Sequence, residues 1–117
     1  MTHSEPVPIP PVSLAGGAPA REPFSSERWK DPAQNEGLET ARLKMIDDLL
    51  NTHPLKGLHR DDVVRLLGEP DKTDKFSTWD MVYVLGPGGG YYSMDYEWLL
   101  IRLGPDGRVK KHRVTSD

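Results

Sequence analysis

Two stretches in the second half of the chain, Thr78 to Leu85 and Met94 to Leu103, are rich in aromatic and β-branched residues and predict β-strands. Both are apolar at successive positions, so each strand carries large side chains on both of its faces. These positions are Trp79, Met81, Val82, Tyr83, Val84 and Leu85 in the first strand, and Trp98, Leu99, Leu100 and Ile101 in the second. A sheet covered on one side only alternates apolar and polar residues. The fold must therefore cover both faces of this sheet.

The remaining elements predict an α+β fold. Apolar residues at helical spacing indicate helices from Leu38 to Leu50 and from Arg60 to Leu67. A third strand is expected over Arg108 to Thr115, after Gly104-Pro105-Asp106-Gly107, which has the proline and glycine positions of a type I turn. The order predicts two helices packed on one face of a three-stranded antiparallel meander, α-α-β-β-β.

The second helix has defined start and stop signals. His59 occupies its cap position, and Leu58 and Val63 are spaced for a hydrophobic staple. Gly68 is expected to end the helix with a left-handed, positive-φ conformation, and Pro70 prevents continuation.

Two short helices can cover only one sheet face. Phe24 and Trp29 are large apolar residues in a polar stretch, and we expect them to fold back onto the face that the helices leave open. A second subunit or another partner is the alternative cover for that face.

Composition divides the chain into three parts. Only 36% of the 117 residues are hydrophobic, and 11 prolines and 11 glycines are many for this length. We predict a disordered Pro/Gly/Ala-rich arm over residues 1–23, a partly ordered segment over 24–37 that packs on the domain, and an α+β domain over 38–117. The arm is predicted to be a linker, with a proline-rich docking peptide as the alternative.

Charge and cysteine content limit the partners and the compartment. The net charge of −3 gives no global field that would steer the chain to nucleic acid or anionic lipid, and no apolar run reaches the roughly 20 residues that span a bilayer. The absence of cysteine excludes disulfides, thiolate metal sites and a lipidated cysteine. No secretory signal is visible, which favours the cytoplasm, or the periplasm or outer-membrane face if a signal has been removed.

No group of residues predicts catalysis, a cofactor or a metal. Adjacent Asp47 and Asp48 diverge on a helix, while Asp95 and Glu97 share a strand face and are the one carboxylate pair with usable geometry. The glycine-rich stretch 86–90 is not followed by the Lys-Ser/Thr pair of a phosphate loop, and no two histidines have metal-ligand spacing. We therefore expect a protein that is not an enzyme.

The last hairpin is basic. Its cationic residues are Arg102, Arg108, Lys110, Lys111 and Arg113. Such a row is typical either of a contact with nucleic acid or an acidic protein, or of an edge strand protected against sheet-to-sheet addition. The acidic overall charge favours edge protection.

The expected binding surface combines the open sheet face with the glycine-rich hairpin loop. Its residues are Trp79, Tyr83, Gly88, Gly89, Tyr91, Tyr92 and Trp98. The expected partner is another protein, including a second copy in a homodimer, and neither nucleic acid nor membrane insertion is expected.

Several segments carry a family likeness. They are 45–50 (Met-Ile-Asp-Asp-Leu-Leu), 55–58 (Leu-Lys-Gly-Leu), 63–71 (Val-Val-Arg-Leu-Leu-Gly-Glu-Pro-Asp), 82–86 (Val-Tyr-Val-Leu-Gly) and 106–109 (Asp-Gly-Arg-Val). Together they make residues 38–114 similar to the SmpA/OmlA (BamE-like) family, with Leu-Leu-Gly-x-Pro after a short helix as the most specific element. The resemblance implies a helix–helix–three-strand domain like each half of β-lactamase-inhibitory protein.

The resemblance also implies a function. It predicts a non-catalytic bacterial protein-binding module similar to the small accessory lipoprotein of outer-membrane barrel assembly. The alternative is an inhibitor or immunity protein that blocks an enzyme with the same fold.

Overall fold

The structure is a computed structural model, and it describes residues 21–88 and 95–117. The elements are α1 (Ser26–Lys30), a 3₁₀ turn (Pro32–Gln34), α2 (Ala41–Thr52), α3 (Arg60–Leu67), β1 (Met81–Pro87), β2 (Tyr96–Leu103) and β3 (Val109–Ser116). The predicted α+β class and its order of two helices before three antiparallel strands are confirmed, with the five-residue α1 as an addition. Residues 1–20 of the predicted arm lie outside the described residues.

The three strands form one antiparallel sheet in the order β1-β2-β3. The predicted turn joins β2 to β3, because the Gly107 N–H donates to the Gly104 carbonyl at 3.0 Å and Gly107 has a φ of +78°. An irregularity next to Leu103 pairs that residue with Val109 and leaves Lys110 as an extra residue in β3. This bulge allows both Val109 to point into the core and Lys111 to point to the opposite face.

The boundaries of α3 agree with the prediction. His59 is its N-cap, and His59 Nδ1 accepts the Asp61 N–H at 3.1 Å. Gly68 ends the helix with the predicted positive φ of +81°, but its ψ of −178° is extended rather than left-handed helical. This conformation, which is open to glycine, accompanies a bond in which the Tyr83 hydroxyl donates to the Gly68 carbonyl at 2.7 Å.

Helix α2 begins at Ala41, three residues later than predicted. Thr40 is the N-cap, since its hydroxyl accepts the Leu43 N–H at 3.1 Å and donates to the Leu85 carbonyl of β1. Leu38 remains 55% exposed in the preceding loop. A threonine that caps the helix and also bonds the sheet fixes the start of α2 more firmly than the apolar spacing does.

The helices and α1 cover the same face of the sheet, which we call the helix face. Trp29 of α1 is fully buried there, with its ring centroid 6.0 Å from that of Phe24 and 6.5 Å from that of Tyr83. The prediction that Phe24 and Trp29 cover the other face is therefore wrong. Because α2 and α3 are short, the large Trp29 ring fills space over Tyr83 on the face that they already occupy.

The other face of the sheet, called here the second face, is covered by the segment that leads into β1. Val82, Trp98 and Leu100 form its buried cluster, against which Phe76 and Trp79 pack. The Phe76 and Trp98 rings meet at 5.5 Å with an edge-on geometry. Residues 71–80, named the cover segment, thus do what Phe24 and Trp29 were expected to do.

Trp79 and Tyr83, which the alternation of the predicted strand places on one face, lie on opposite faces of the sheet. The alternation of a strand starting at Thr78 would group Trp79 with Met81 and Tyr83 on the helix face, but β1 starts at Met81. Trp79 belongs to a turn in which its N–H donates to the Phe76 carbonyl at 2.9 Å. The turn directs its ring to the second face.

The outer edge of β1 is closed by side chains and by the start of the cover segment. The Asp71 N–H donates to the Val82 carbonyl at 2.9 Å, and its carboxylate accepts the Val84 N–H at 2.8 Å. Arg42 of α2 donates to the Val84 carbonyl at 2.9 Å and to the Asp71 carboxylate at 3.1 Å. The Val82 carbonyl and both backbone groups of Val84, which point away from β2, are thereby bonded.

Replacing Trp29 by alanine is expected to lower the free energy of unfolding by about 3–5 kcal/mol, the usual cost of removing a large buried aromatic side chain. Trp29→Phe is the matched control: it keeps a ring in the cavity and removes an indole N–H that is buried without a hydrogen-bond partner among the described residues. Trp29→Phe should lower the free energy of unfolding clearly less than Trp29→Ala does. Urea unfolding measures both changes, and a loss below about 1 kcal/mol for Trp29→Ala would contradict the observed position of α1.

Candidate binding surface

Three cationic side chains converge on Trp79 on the second face. The guanidinium carbon of Arg102 lies 4.4 Å from the centroid of the Trp79 ring. The ammonium of Lys111 and the guanidinium carbon of Arg113 lie 5.6 Å and 5.9 Å from the same centroid. These distances are those of cation–π contacts. We call Trp79, Arg102, Lys111 and Arg113 the cationic patch.

Strand register brings these cations together. Arg102 of β2 is directly opposite Lys111 of β3, and Leu100 is opposite Arg113, so all four side chains project from one face. Like charges at directly opposite positions destabilise a sheet. The opposition of Arg102 and Lys111 therefore costs stability, which the cation–π contacts with Trp79 offset.

The cations of the patch have no ion-pair partner within residues 21–88 and 95–117. Arg102 donates one hydrogen bond, to the Thr78 carbonyl at 3.1 Å, and the nearby Asp80 carboxylate accepts the Leu103 N–H at 2.7 Å. The chain has 18 acidic and 15 basic residues, and the ion pairs among its described residues are made by other side chains. Three unneutralised cations thus share one face of an acidic protein.

The cover segment is tied down beside the patch by an ion pair. The ammonium of Lys75 lies 2.8 Å from the carboxylate of Asp117, and that carboxylate also accepts the Tyr96 N–H at 2.9 Å. The hydrogen bond from Lys75, followed by that from the Tyr96 backbone, lowers the pKa of the Asp117 carboxyl from 3.8 to about 2. The tie links residues 71–80 to the end of β3.

The predicted binding residues are distributed over separate places. Trp79 and Trp98 share the second face, although Trp98 is only 7% exposed and lies beneath Phe76. Tyr83 is fully buried on the helix face, where burial raises the pKa of its hydroxyl, so it presents no binding surface. Gly88 lies at the base of the β1–β2 hairpin with its N–H bonded to the Asp95 carbonyl at 3.1 Å. The other predicted members, Gly89, Tyr91 and Tyr92, lie outside the described residues.

The sequence identified the cations of the last hairpin but favoured edge protection for them. Arg102 is on the central strand β2, where protection of an edge has no use. The useful signal was the spacing of Lys111 and Arg113, which places both on one face of β3. Their convergence with Trp79 depends on contacts between residues distant in the sequence.

The described residues give little support for other kinds of site. Asp95 precedes β2 and Glu97 lies within it. No three histidine, aspartate or glutamate side chains of residues 21–88 and 95–117 form a group that could hold a metal ion. Over the same ranges, none of the helices has both the length and the apolar character required to cross a membrane.

Comparison with known proteins gives no family assignment: no family model, curated protein or solved structure matches the chain.

The ion pair between Lys75 and Asp117 predicts a specific pH dependence. Because the folded pKa of Asp117 lies below its ordinary value, the stabilisation is complete above about pH 4 and is lost as pH falls toward 2. The carboxyl carbon resonance of Asp117, followed by NMR, should titrate with a midpoint near 2. Lys75→Met should move the midpoint up toward 3.8, whereas Lys72→Met should leave it in place. A titration midpoint of Asp117 near 3.8 in the unmodified protein, or a midpoint that Lys75→Met does not change, would show that the ion pair does not form.

Proposed function

We propose that this protein is a non-catalytic protein-binding module whose cationic patch binds an acidic segment of another protein. The observation that carries the proposal is the convergence of Arg102, Lys111 and Arg113 on Trp79 without a neutralising carboxylate among the described residues. The identity of the partner's ligand groups follows from this chemistry. Carboxylates form charge-assisted hydrogen bonds with guanidinium and ammonium groups, and arginine can bind them through two parallel bonds.

Edge protection explains the patch less well. Lysines that protect an edge need only be exposed on the outermost strand. Here Arg102 comes from the central strand, and it is held over the Trp79 ring at 4.4 Å. Tryptophan and arginine are also the residues that contribute most often to the affinity of protein interfaces. A ring that orders cations at a cost to sheet stability favours a binding role.

The proposed role is non-catalytic because the patch offers cations and an aromatic ring. Among the described residues it includes neither a pair of carboxylates nor a general base beside Lys111. The resemblance of residues 38–114 to the SmpA/OmlA (BamE-like) family supports a protein-binding role in the same sense, and the layout it implies agrees with the observed order of helices and strands.

The proposal is tested with a synthetic peptide that alternates glutamate with valine or tyrosine, titrated into the full chain at low and at physiological salt. Lys111→Glu should weaken binding by about tenfold or more, since it places a carboxylate in the patch. Lys30→Glu makes the same change of charge at an exposed position at the end of α1, which packs on the helix face, and should change the affinity less than twofold. Lys111→Glu should also leave unfolding unchanged or raise its free energy by up to about 1 kcal/mol, because it converts a like-charge pair with Arg102 into an opposite-charge pair.

Two results would contradict the proposal. Equal losses for Lys111→Glu and Lys30→Glu would indicate attraction to overall charge rather than a site. Tighter binding of a single-stranded oligothymidylate than of the peptide, at equal charge and salt, would assign the patch to nucleic acid.

A further inference from the structure

The two outer edges of the sheet differ. The edge of β1 is closed by Asp71, Arg42 and Thr40, which bond its outward backbone groups. The opposite edge, on β3, is bonded to the loop before α3 only at Val109, whose N–H donates to Leu58 and whose carbonyl accepts from Gly57. Beyond Val109, β3 has no neighbour on its outer side among the described residues.

The register identifies the free backbone groups. Val82 and Val84 direct their backbone groups away from β2. Tyr83, which lies between them, therefore directs its N–H and carbonyl groups toward β2, where it is paired with Leu99. Backbone groups alternate in direction along an antiparallel strand, so Leu100 bonds Arg113 of β3. The N–H and carbonyl groups of the intervening residues, His112, Val114 and Ser116, therefore point outward from the sheet.

Side chains along this edge differ between the two faces. On the second face Lys111 and Arg113 belong to the cationic patch. On the helix face lies Val114, which is 38% exposed and therefore has apolar surface left to bury. An added strand would place alternate residues beside the cations and the residues between them beside Val114.

We propose that the acidic segment binds by adding a fourth strand to the outer edge of β3. This inference rests on the proposed function and specifies its geometry. The segment is extended; its alternate acidic residues lie beside Lys111 and Arg113, and the apolar residues between them lie against Val114. Backbone hydrogen bonds to His112, Val114 and Ser116 provide affinity, and the alternating side chains provide specificity.

A second copy of this chain fits the edge poorly. Two β3 strands paired about a two-fold axis at His112 would set Lys111 of one copy opposite Arg113 of the other. An axis at Val114 would set Lys111 opposite Asp117, which already pairs with Lys75, and would leave Arg113 opposite Thr115. Like charges on paired strands repel one another. An acidic strand has the complementary charge, so it is the occupant that we propose.

The test uses the alternating glutamate–valine peptide in three forms: unmodified, N-methylated at the apolar positions, and N-methylated at the acidic positions. Methylation removes the amide donors and blocks pairing without altering any charge. Apolar residues would direct their amides to β3 in an antiparallel arrangement, and acidic residues would do so in a parallel one. We expect one of the two methylated peptides to bind the full chain at least tenfold more weakly than the unmodified peptide. On binding, the amide resonances of His112 and Val114 should shift and exchange with solvent more slowly.

The outcomes separate this inference from the proposed function. If both methylated peptides bind as tightly as the unmodified one and only the Trp79 indole resonance shifts, the patch binds acidic segments without strand addition and the inference is overturned. If no form of the peptide binds, the proposed function fails as well. Sedimentation that reveals a dimer through β3 in the absence of peptide, lost in Val114→Lys, would also overturn the inference.

Discussion

The guanidinium of Arg42 holds together elements that would otherwise be independent. It donates to the Trp29 carbonyl at 2.9 Å, to the Val84 carbonyl at 2.9 Å and to the Asp71 carboxylate at 3.1 Å, and its carbon lies 5.2 Å from the Trp29 ring centroid. One side chain on α2 thus joins α1, β1 and the cover segment. The Arg42 side chain is only 12% exposed, and these acceptors compensate for the burial of its charge. Arg42 also closes the outer edge of β1, which makes the two edges of the sheet different.

Closing the edge of β1 determines which surfaces remain for binding. Asp71, held by Arg42 and bonded to Val82 and Val84, is the point from which the cover segment crosses to the second face. That crossing brings Phe76 onto Trp98 and Trp79 among the cations. The cationic patch therefore depends on the same contacts that close β1, while no described residue pairs with the outer edge of β3 beyond Val109.

Local patterns in the sequence predicted the local structure well. The type I turn at 104–107 and the bounds of α3 follow from neighbouring residues with specific backbone preferences, as does the positive φ of Gly68. The need for a cover on both sheet faces was also correctly predicted from the doubly apolar strands. The identity of each cover was not, because Trp29 and the pair Phe76 and Trp79 are equally apolar in sequence. The face that each of these aromatic residues covers depends on where β1 begins and on the hydrogen bonds between Asp71 and β1.

The candidate site was the least predictable part. Tyr83 was assigned to it because the alternation of a strand starting at Thr78 groups Tyr83 with Trp79, whereas the structure buries Tyr83 under Trp29. Lys111 reaches Trp79 only because the bulge at Lys110 reverses the direction of the side chains after Val109. A one-residue shift of this kind exchanges the two faces of a strand. Sequence spacing gave no indication of it.

Residue-resolved amide hydrogen exchange of the free protein tests most directly whether one edge of the sheet is closed and the other open. The Val84 amide donates to the Asp71 carboxylate at 2.8 Å, so it should exchange slowly. The amides of His112 and Val114, which point outward from β3, should exchange at rates close to those of an unstructured peptide. Fast exchange at Val84, or strong protection at His112 and Val114 in the free protein, would contradict this account of the sheet.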